Sequence, residues 1–455
     1  MVLSPPRMEG VRMKLRRRVC VTLSAAVVLL MAASSGSARE TTTAIARESV
    51  RVDQVASDDA GAFDPTTDPA VVSLVKDYGV TVEQALAQME TQVALQDAVA
   101  QIPPDLQRTF SEYKIDHANG GRVTVAVTDV QLVDAIAKHF AEFAIAEIDT
   151  VIVALNAAEL EDAAEALQER LANSPRGLAG SNVDVSRGAL GIVTVEYIPG
   201  QLNDAEQAVI DEALASPDVY QVTEVDEIER PVKGACDRTG DIECDPPLRG
   251  SVLMTGGGIC TAGFNVRSIF VDNKPYVLTA GHCDTGSGIV WNTQFEDESV
   301  HAIGPFHNSR NDNVTDSGII DVNNPTGWEF GQPWITVNPN GGGYTANDRY
   351  VIERTGNPGL GVRICLTGGN YPATTCGEVV DTSDCVTATC GLFKSSPGDF
   401  CFRGGDSGAP VYSYGTAQGI AIAHSPSDQV SCSKTIWGEE ISEAAASMNV
   451  YVLTN

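Results

Sequence analysis

The sequence predicts a chain in two parts, an α+β unit followed by an all-β unit, behind an export signal. Three observations predict this. Between about Pro69 and Ala215, helical and alternating apolar periods take turns without a single cysteine. After about Val232 the helical period stops, and short β-branched runs recur between turns rich in Gly, Asn and Ser. At the front, Arg16, Arg17 and Arg18 precede an apolar run from Val21 to Ala33 and the small residues Gly36-Ser37-Ala38. A length of 455 residues fits two or three domains better than one.

Residues 1–38 read as a signal peptide cleaved after Ala38, which predicts a secreted protein; Met8 and Met13 are alternative starts. The apolar run is too short to span a bilayer, and no later stretch approaches about 20 apolar residues, so no membrane partner is expected. Residues 39–63 are polar and turn-rich, a flexible lead-in.

In the α+β unit, 64–232, apolar spacing predicts a helix from Pro69 to about Tyr78 and another from Val82 to about Ala100. Val123-Thr124-Val125-Ala126-Val127 is a strand by its β-branched content. Helices are predicted at 129–144, 156–172 and 203–215, with strands at 150–154 and 191–197. No catalytic constellation occurs here; His117 and His139 lack partner clusters and read as surface residues.

In the second unit, 233–455, candidate strands are 266–271, 276–279, 289–292, 361–365, 377–381, 410–413 and 418–423. Many short strands with such turns predict an antiparallel barrel or sandwich. A formal charge of −30 excludes nucleic acid as a partner, because polyphosphate binding needs a basic face. Loss of the signal removes Cys20 and leaves an even set of cysteines, all between Cys236 and Cys432, which reads as disulfides in an exported chain. Paired C-x-x-C spacings are absent, so no zinc site is predicted.

Two stretches carry chemistry. Gly404-Gly405-Asp406-Ser407-Gly408-Ala409-Pro410 offers a serine in a tract flexible enough to turn backbone N–H groups toward an oxyanion. Gly405 and Ser407 are the expected donors. Thr279-Ala280-Gly281-His282-Cys283 offers the base that a serine hydroxyl needs at neutral pH. An α/β-hydrolase elbow requires G-x-S-x-G, and Ala409 stands where its last glycine belongs. The imidazole also needs a buried carboxylate, between His282 and Ser407 and at the start of an apolar strand. Asp316-Ser317-Gly318-Ile319-Ile320 fits best, with Asp312 and Asp321 as rivals; a calcium loop in this run fails the EF-hand spacing.

Cys260-Thr261-Ala262-Gly263-Phe264-Asn265-Val266-Arg267, followed by Leu278 to Cys283, resembles the streptogrisin and α-lytic branch of the chymotrypsin-like serine proteases. The likeness covers roughly 246–455, and the order His282, Asp316, Ser407 is the family's order. It implies a trypsin-like fold of two perpendicular six-stranded β-barrels with the site between them. It implies no cofactor and no metal, polypeptide substrates, and a monomeric mature enzyme.

The same resemblance implies bridges Cys260–Cys283, Cys365–Cys376 and Cys401–Cys432; proximity adds Cys385–Cys390 and Cys236–Cys244. Residues from Thr109-Phe110 through Lys114-Ile115-Asp116, then Val123 to Asp129, resemble the prodomain of that branch. This implies that 64–232 is a folding catalyst and inhibitor of its own enzyme, cut away between about Pro231 and Ser251.

Three departures from the branch stand out. Ala409 replaces a glycine. At the pocket strand Gly419-Ile420-Ala421-Ile422-Ala423-His424, an ungapped alignment puts Ile422 where the branch has a serine that contacts the triad aspartate; a shifted register using Ser425 is the alternative. Asp406 lacks the branch's arginine, because Leu366 occupies that position, so Arg363 or Arg403 is expected to substitute. The pocket is assigned to Phe402, Ala421, Ile422 and His424; His424 suits an acidic side chain, whereas the bulk of the others favours an apolar one, which we expect. The rival reading, motivated by the altered strand, is a catalytically inactive binding protein on the protease fold.

Overall fold

The computed structural model describes residues 65–145, 147–176, 181–226, 228, 247–270, 273–286, 288–294, 300–337, 349–371, 373–387, 389–396, 401–425 and 433–455. The expected signal, the lead-in, the cleavage region, and the cysteines at 236, 244 and 432 lie outside the described residues.

The first half opens with helix α1 (Pro69–Tyr78), which starts because Asp68 accepts the Ala70 N–H at 2.8 Å and Pro69 presets the first turn. Helix α2 (Val82–Ala100) begins with a capping box between Thr81 and Gln84. After the short α3 (Pro104–Gln107) come strand β1 (Phe110–Asp116), β2 (Arg122–Val127), α4 (Val133–Ala141) and β3 (Ile148–Ile152). Helix α5 (Ala157–Ala172) leads to β4 (Val183–Ala189), β5 (Ile192–Tyr197), α6 (Asp204–Ala215) and β6 (Tyr220–Glu224). In both sheets the first pair is antiparallel and the strand after the helix runs parallel, so the order ββαβ occurs twice.

Strands β1, β4 and β6 were not anticipated as strands. β1 buries Ser111 and Glu112 alongside Phe110 and Tyr113, so no apolar alternation marks it. His117 and His139 are corrected from surface to core. His117 bonds Gln88 at 2.8 Å, and burial lowers its pKa to about 4; His139 bonds the Ala98 carbonyl at 2.9 Å.

The second half is almost wholly β. Its strands are β7 (Leu253–Thr255), β8 (Ile259–Thr261), β9 (Phe264–Ser268), β10 (Pro275–Ala280), β11 (Val290–Gln294), β12 (Val300–Asn311) and β13 (Asp316–Asp321). A small pair, β14 (Trp334–Thr336) and β15 (Arg349–Val351), precedes β16 (Arg354–Thr355). Then come β17 (Arg363–Leu366), β18 (Thr375–Val386), β19 (Thr389–Ser395), β20 (Pro410–Ser413), β21 (Thr416–His424) and β22 (Ile436–Glu440). Helix α7 (Ile441–Met448) and β23 (Val450–Val452) end the chain.

Pairings β21–β20–β17–β18–β19–β22 return to β21, so six antiparallel strands close on themselves. The earlier strands form one eight-stranded sheet, β23-β9-β10-β13-β12-β11-β7-β8, without a closing pair among the described residues. Within it β12 is long enough to serve two neighbours: Val300–Pro305 faces β11 and Phe306–Asn311 faces β13, with register shifts where it bends.

The two halves share a core. Leu95, Phe110, Ile115 and Val125 of the first pack with Val362, Ile364, Leu366 and Val379 of the second, each burial contributing about 1.5–3 kcal/mol. Polar ties accompany it: Ile115 N–H donates to the Leu360 carbonyl at 3.1 Å, and Gln92 Nε2 donates to Ser413 Oγ at 2.9 Å. Arg363, almost fully buried, bonds Asp77 and donates to Ser73 Oγ at 2.9 Å. Among the described residues no helix is long and apolar enough to cross a membrane.

Candidate active site

Register brings the first two groups together. β10 pairs antiparallel with β13 so that Ala280 faces Ser317, which brings His282, two residues on, within reach of Asp316. His282 sits in a 3₁₀ turn, Gly281–Cys283, directly after β10. Its backbone N–H donates to Asp316 Oδ1 at 2.7 Å and its Nδ1 meets Oδ2 at 2.8 Å. A carboxylate only accepts, so Nδ1 carries the proton and Nε2 is the basic nitrogen. Asp316 is wholly buried. The rivals serve elsewhere: Asp312 pairs with Arg310 and caps the turn at Val314, and Asp321 pairs with Lys274.

Ser407 lies in the loop before β20. Its Oγ and His282 Nε2 are both buried and make no hydrogen bond among the described residues. Gly408 has φ +90°, and a Cβ there would stand 2.0 Å from Thr279 Oγ1, so only glycine fits beside the histidine strand. The N–H groups of Asp406, Gly408 and Ala409 donate to the carbonyls of Arg403, Ala421 and Asp406. Those of Gly405, at φ +97°, and Ser407 have no acceptor among the described residues. Two free adjacent donors beside a serine hydroxyl suit a developing oxyanion.

Thr261 holds this loop, a role the sequence reading missed. Its N–H donates to the Ser407 carbonyl at 2.8 Å, and its hydroxyl donates to the Gly405 carbonyl at 2.8 Å while accepting the Gly369 N–H. The structure contains disulfides Cys260–Cys283, Cys365–Cys376 and Cys385–Cys390. Cys401 is disulfide-bonded as well.

Of the two arginines expected beside Asp406, Arg363 pairs with Asp77 instead, whereas the charge of Arg403 does act on Asp406. Main-chain N–H groups also hold the Asp406 carboxylate. Asn370 and Tyr371 donate to Oδ1 at 2.7 and 3.1 Å, and Arg403 N–H donates to Oδ2 at 2.8 Å. Burial raises Asp406 to a pKa of about 7, against the lowering effect of these bonds and of the Arg403 charge.

Of the assigned pocket, Phe402, Ala421 and His424 come together: Phe402 and Ala421 share a core cluster, and the His424 ring lies 5.2 Å from that of Phe402. Ile422 falls on the other face of β21, packed in the core of the first sheet. The strand is irregular here, with a register shift between Ala421 and Ala423 against β22, so simple alternation does not sort these side chains. His424 bonds the Ser425 carbonyl at 2.7 Å, and burial lowers its pKa.

Among the described residues no group of three or more His, Cys, Asp or Glu side chains is placed to hold a metal ion. No family model matches the chain, and no curated protein matches it either. Solved structures do. A Nocardiopsis protease is similar at 21% identity, covering 45% of this chain and 98% of its own, with a TM-score of 0.36. Thermobifida fusca protease A is similar at 19%, covering 46% and 98%, TM-score 0.35. A glutamic acid-specific serine protease is similar at 23%, covering 45% and 100%, TM-score 0.36.

Proposed function

We propose that this chain is a secreted serine endopeptidase, made with a signal and a pro-segment that it removes by its own activity. One observation carries the reading: His282 Nδ1 is locked to a buried Asp316, while its Nε2 and the Ser407 hydroxyl are both left without a hydrogen-bond partner. His282 Nε2 takes the Ser407 proton as Oγ attacks a peptide carbonyl. The N–H groups of Gly405 and Ser407 receive the oxyanion, and Asp316 stabilises the imidazolium. His282 then protonates the leaving amine, and water releases the acyl group by the same steps in reverse.

The segment 64–232 serves as folding template and inhibitor in this reading. Its support is the core it shares with the closed barrel, since non-local β pairing is slow and a template lowers that barrier. For the side chain preceding the cut bond, the neutral environment of His424 against Phe402 supports an apolar rather than an acidic group.

The test is intact mass and N-terminal sequencing of the protein secreted with its own signal, as wild type and as Ser407→Ala, with fluorophosphonate labelling of both. A wild-type terminus between about Pro231 and Ser251, with Ser407→Ala uncut and unlabelled, is the expected result. Absence of label on folded wild type favours the inactive binding protein.

A further inference from the structure

We propose that Glu439 is a positioning residue for the Asp316–His282 pair, a role that rests on the acyl-transfer reading above. Glu439 lies on β22, wholly buried. Its Oε2 accepts the backbone N–H of Asp316 at 2.9 Å, and its Oε1 shares a hydrogen bond with Thr315 Oγ1. Thr315 Oγ1 bonds Ser317 Oγ at 2.7 Å, and Ser317 Oγ bonds Ser447 Oγ of α7 at 2.7 Å. The carboxyl thus grips Asp316, which opens β13, and Thr315 just before it, and a hydroxyl chain anchors them to a helix. This grip from behind fixes the Asp316 backbone, from which the carboxylate reaches His282.

A carboxyl suits the position only if it is uncharged, because a second buried anion would disturb the pair. Burial, foremost, raises Glu439 to a pKa of about 8, and the charges of Asp316 and Glu443 push the same way. Around it, β13 offers Asp316, α7 offers Glu443, and its own strand offers Glu440; Ile420 faces it on β21. No cation among these opposes the shift. At neutral pH Glu439 therefore works as a neutral group with one donor and one acceptor.

The experiment measures p-nitrophenyl acetate hydrolysis by the secreted protein, with kcat expressed per active site titrated by a fluorophosphonate. In Glu439→Leu, the Asp316 N–H and the Thr315 hydroxyl lose their partner; kcat is expected to fall about 10- to 100-fold with KM within about 2-fold. Glu439→Gln keeps an acceptor for Asp316 and a donor for Thr315, and is expected to retain more than about a third of kcat. The wild-type kcat profile is expected to inflect near pH 8, and Glu439→Gln to lose that inflection.

Near-UV circular dichroism checks folding. Where Glu439→Leu does not fold, Thr315→Val, which cuts the link to Ser317, is expected to lower kcat about 10-fold. An active wild type with undiminished kcat in the folded Leu variant, or in Thr315→Val, overturns the inference. So does equal impairment of the Gln and Leu variants. A folded wild type that neither hydrolyses the ester nor takes the label overturns the acyl-transfer reading itself.

Discussion

Asp406→Asn, made in a Ser407→Ala background to prevent self-digestion, tests how the nucleophile loop is held. An asparagine that turns its carbonyl to the Asn370 and Tyr371 N–H groups must aim its NH₂ at the Arg403 N–H, donor against donor. Leaving those buried groups unpaired costs about 2–4 kcal/mol. The cost depends on pH. Burial raises the folded carboxyl from 3.8 to about 7, so its contribution is fully present below about pH 4 and is lost as pH rises through 7. At about 1.4 kcal/mol per unit, the wild-type loop gives up about 4 kcal/mol over that window, whereas asparagine gives up none. The stability gap between the two should therefore shrink by about 2–3 kcal/mol between pH 5 and pH 8. Urea unfolding followed by tryptophan fluorescence at both pH values measures it, and the other buried carboxyls cancel in the difference. A gap that stays constant, or widens toward pH 8, refutes the reasoning: Asp406 would then fold ionised, stabilised by its three N–H donors.

Asp316→Asn should leave the backbone contact to His282 but reverse the imidazole tautomer, lowering kcat about 10⁴-fold in an ester assay with little change in KM. Asp77→Ala removes one of two carboxylate partners of the buried Arg363 guanidinium, leaving Glu378 at 3.8 Å, and should destabilise the uncut Ser407→Ala chain by about 1–2 kcal/mol in urea. Gly408→Ala forces a side chain into the Thr279 hydroxyl at φ +90° and should prevent accumulation of folded protein, read as secreted yield. In a peptide library, cleavage should follow apolar residues; a preference for glutamate would overturn the reading of His424 and Phe402.

The Ser407 loop and His282 were legible as a candidate pair because such chemistry imposes local patterns: glycines where the chain must turn, a histidine at a strand end. Asp316 was legible as the head of an apolar strand, though only the register with β10 separates it from Asp312 and Asp321. The support of Asp406 was not legible, because three main-chain N–H groups leave no mark in side-chain identity. Glu439 was hidden for a related reason, since a glutamate beside Glu440 reads as solvent-facing until both neighbouring strands are in place. The helices were legible from Pro69 to Ala215, with ends near their caps. β1 escaped because its strand face against the barrel is polar as well as apolar. His117 and His139 were misread because a buried histidine needs one partner, Gln88 or the Ala98 carbonyl, and not a cluster.

The bridge from Cys260 to Cys283 has a consequence for timing. His282 immediately precedes one half-cystine, and Thr261, which grips the Ser407 loop, immediately follows the other. His282 and the Ser407 loop are thus joined by a short path, covalent through the bridge as far as Thr261 and completed by two hydrogen bonds, while the chain between them runs through most of two sheets. In a reducing compartment the bridge is absent, and the two groups are held by non-covalent contacts such as the hydrogen bond from the Thr279 hydroxyl to the Thr261 carbonyl. If the proposed reading holds, catalytic competence then depends on oxidation of this bridge. Titration with dithiothreitol should accordingly abolish fluorophosphonate labelling at concentrations that leave the β-sheet circular dichroism intact.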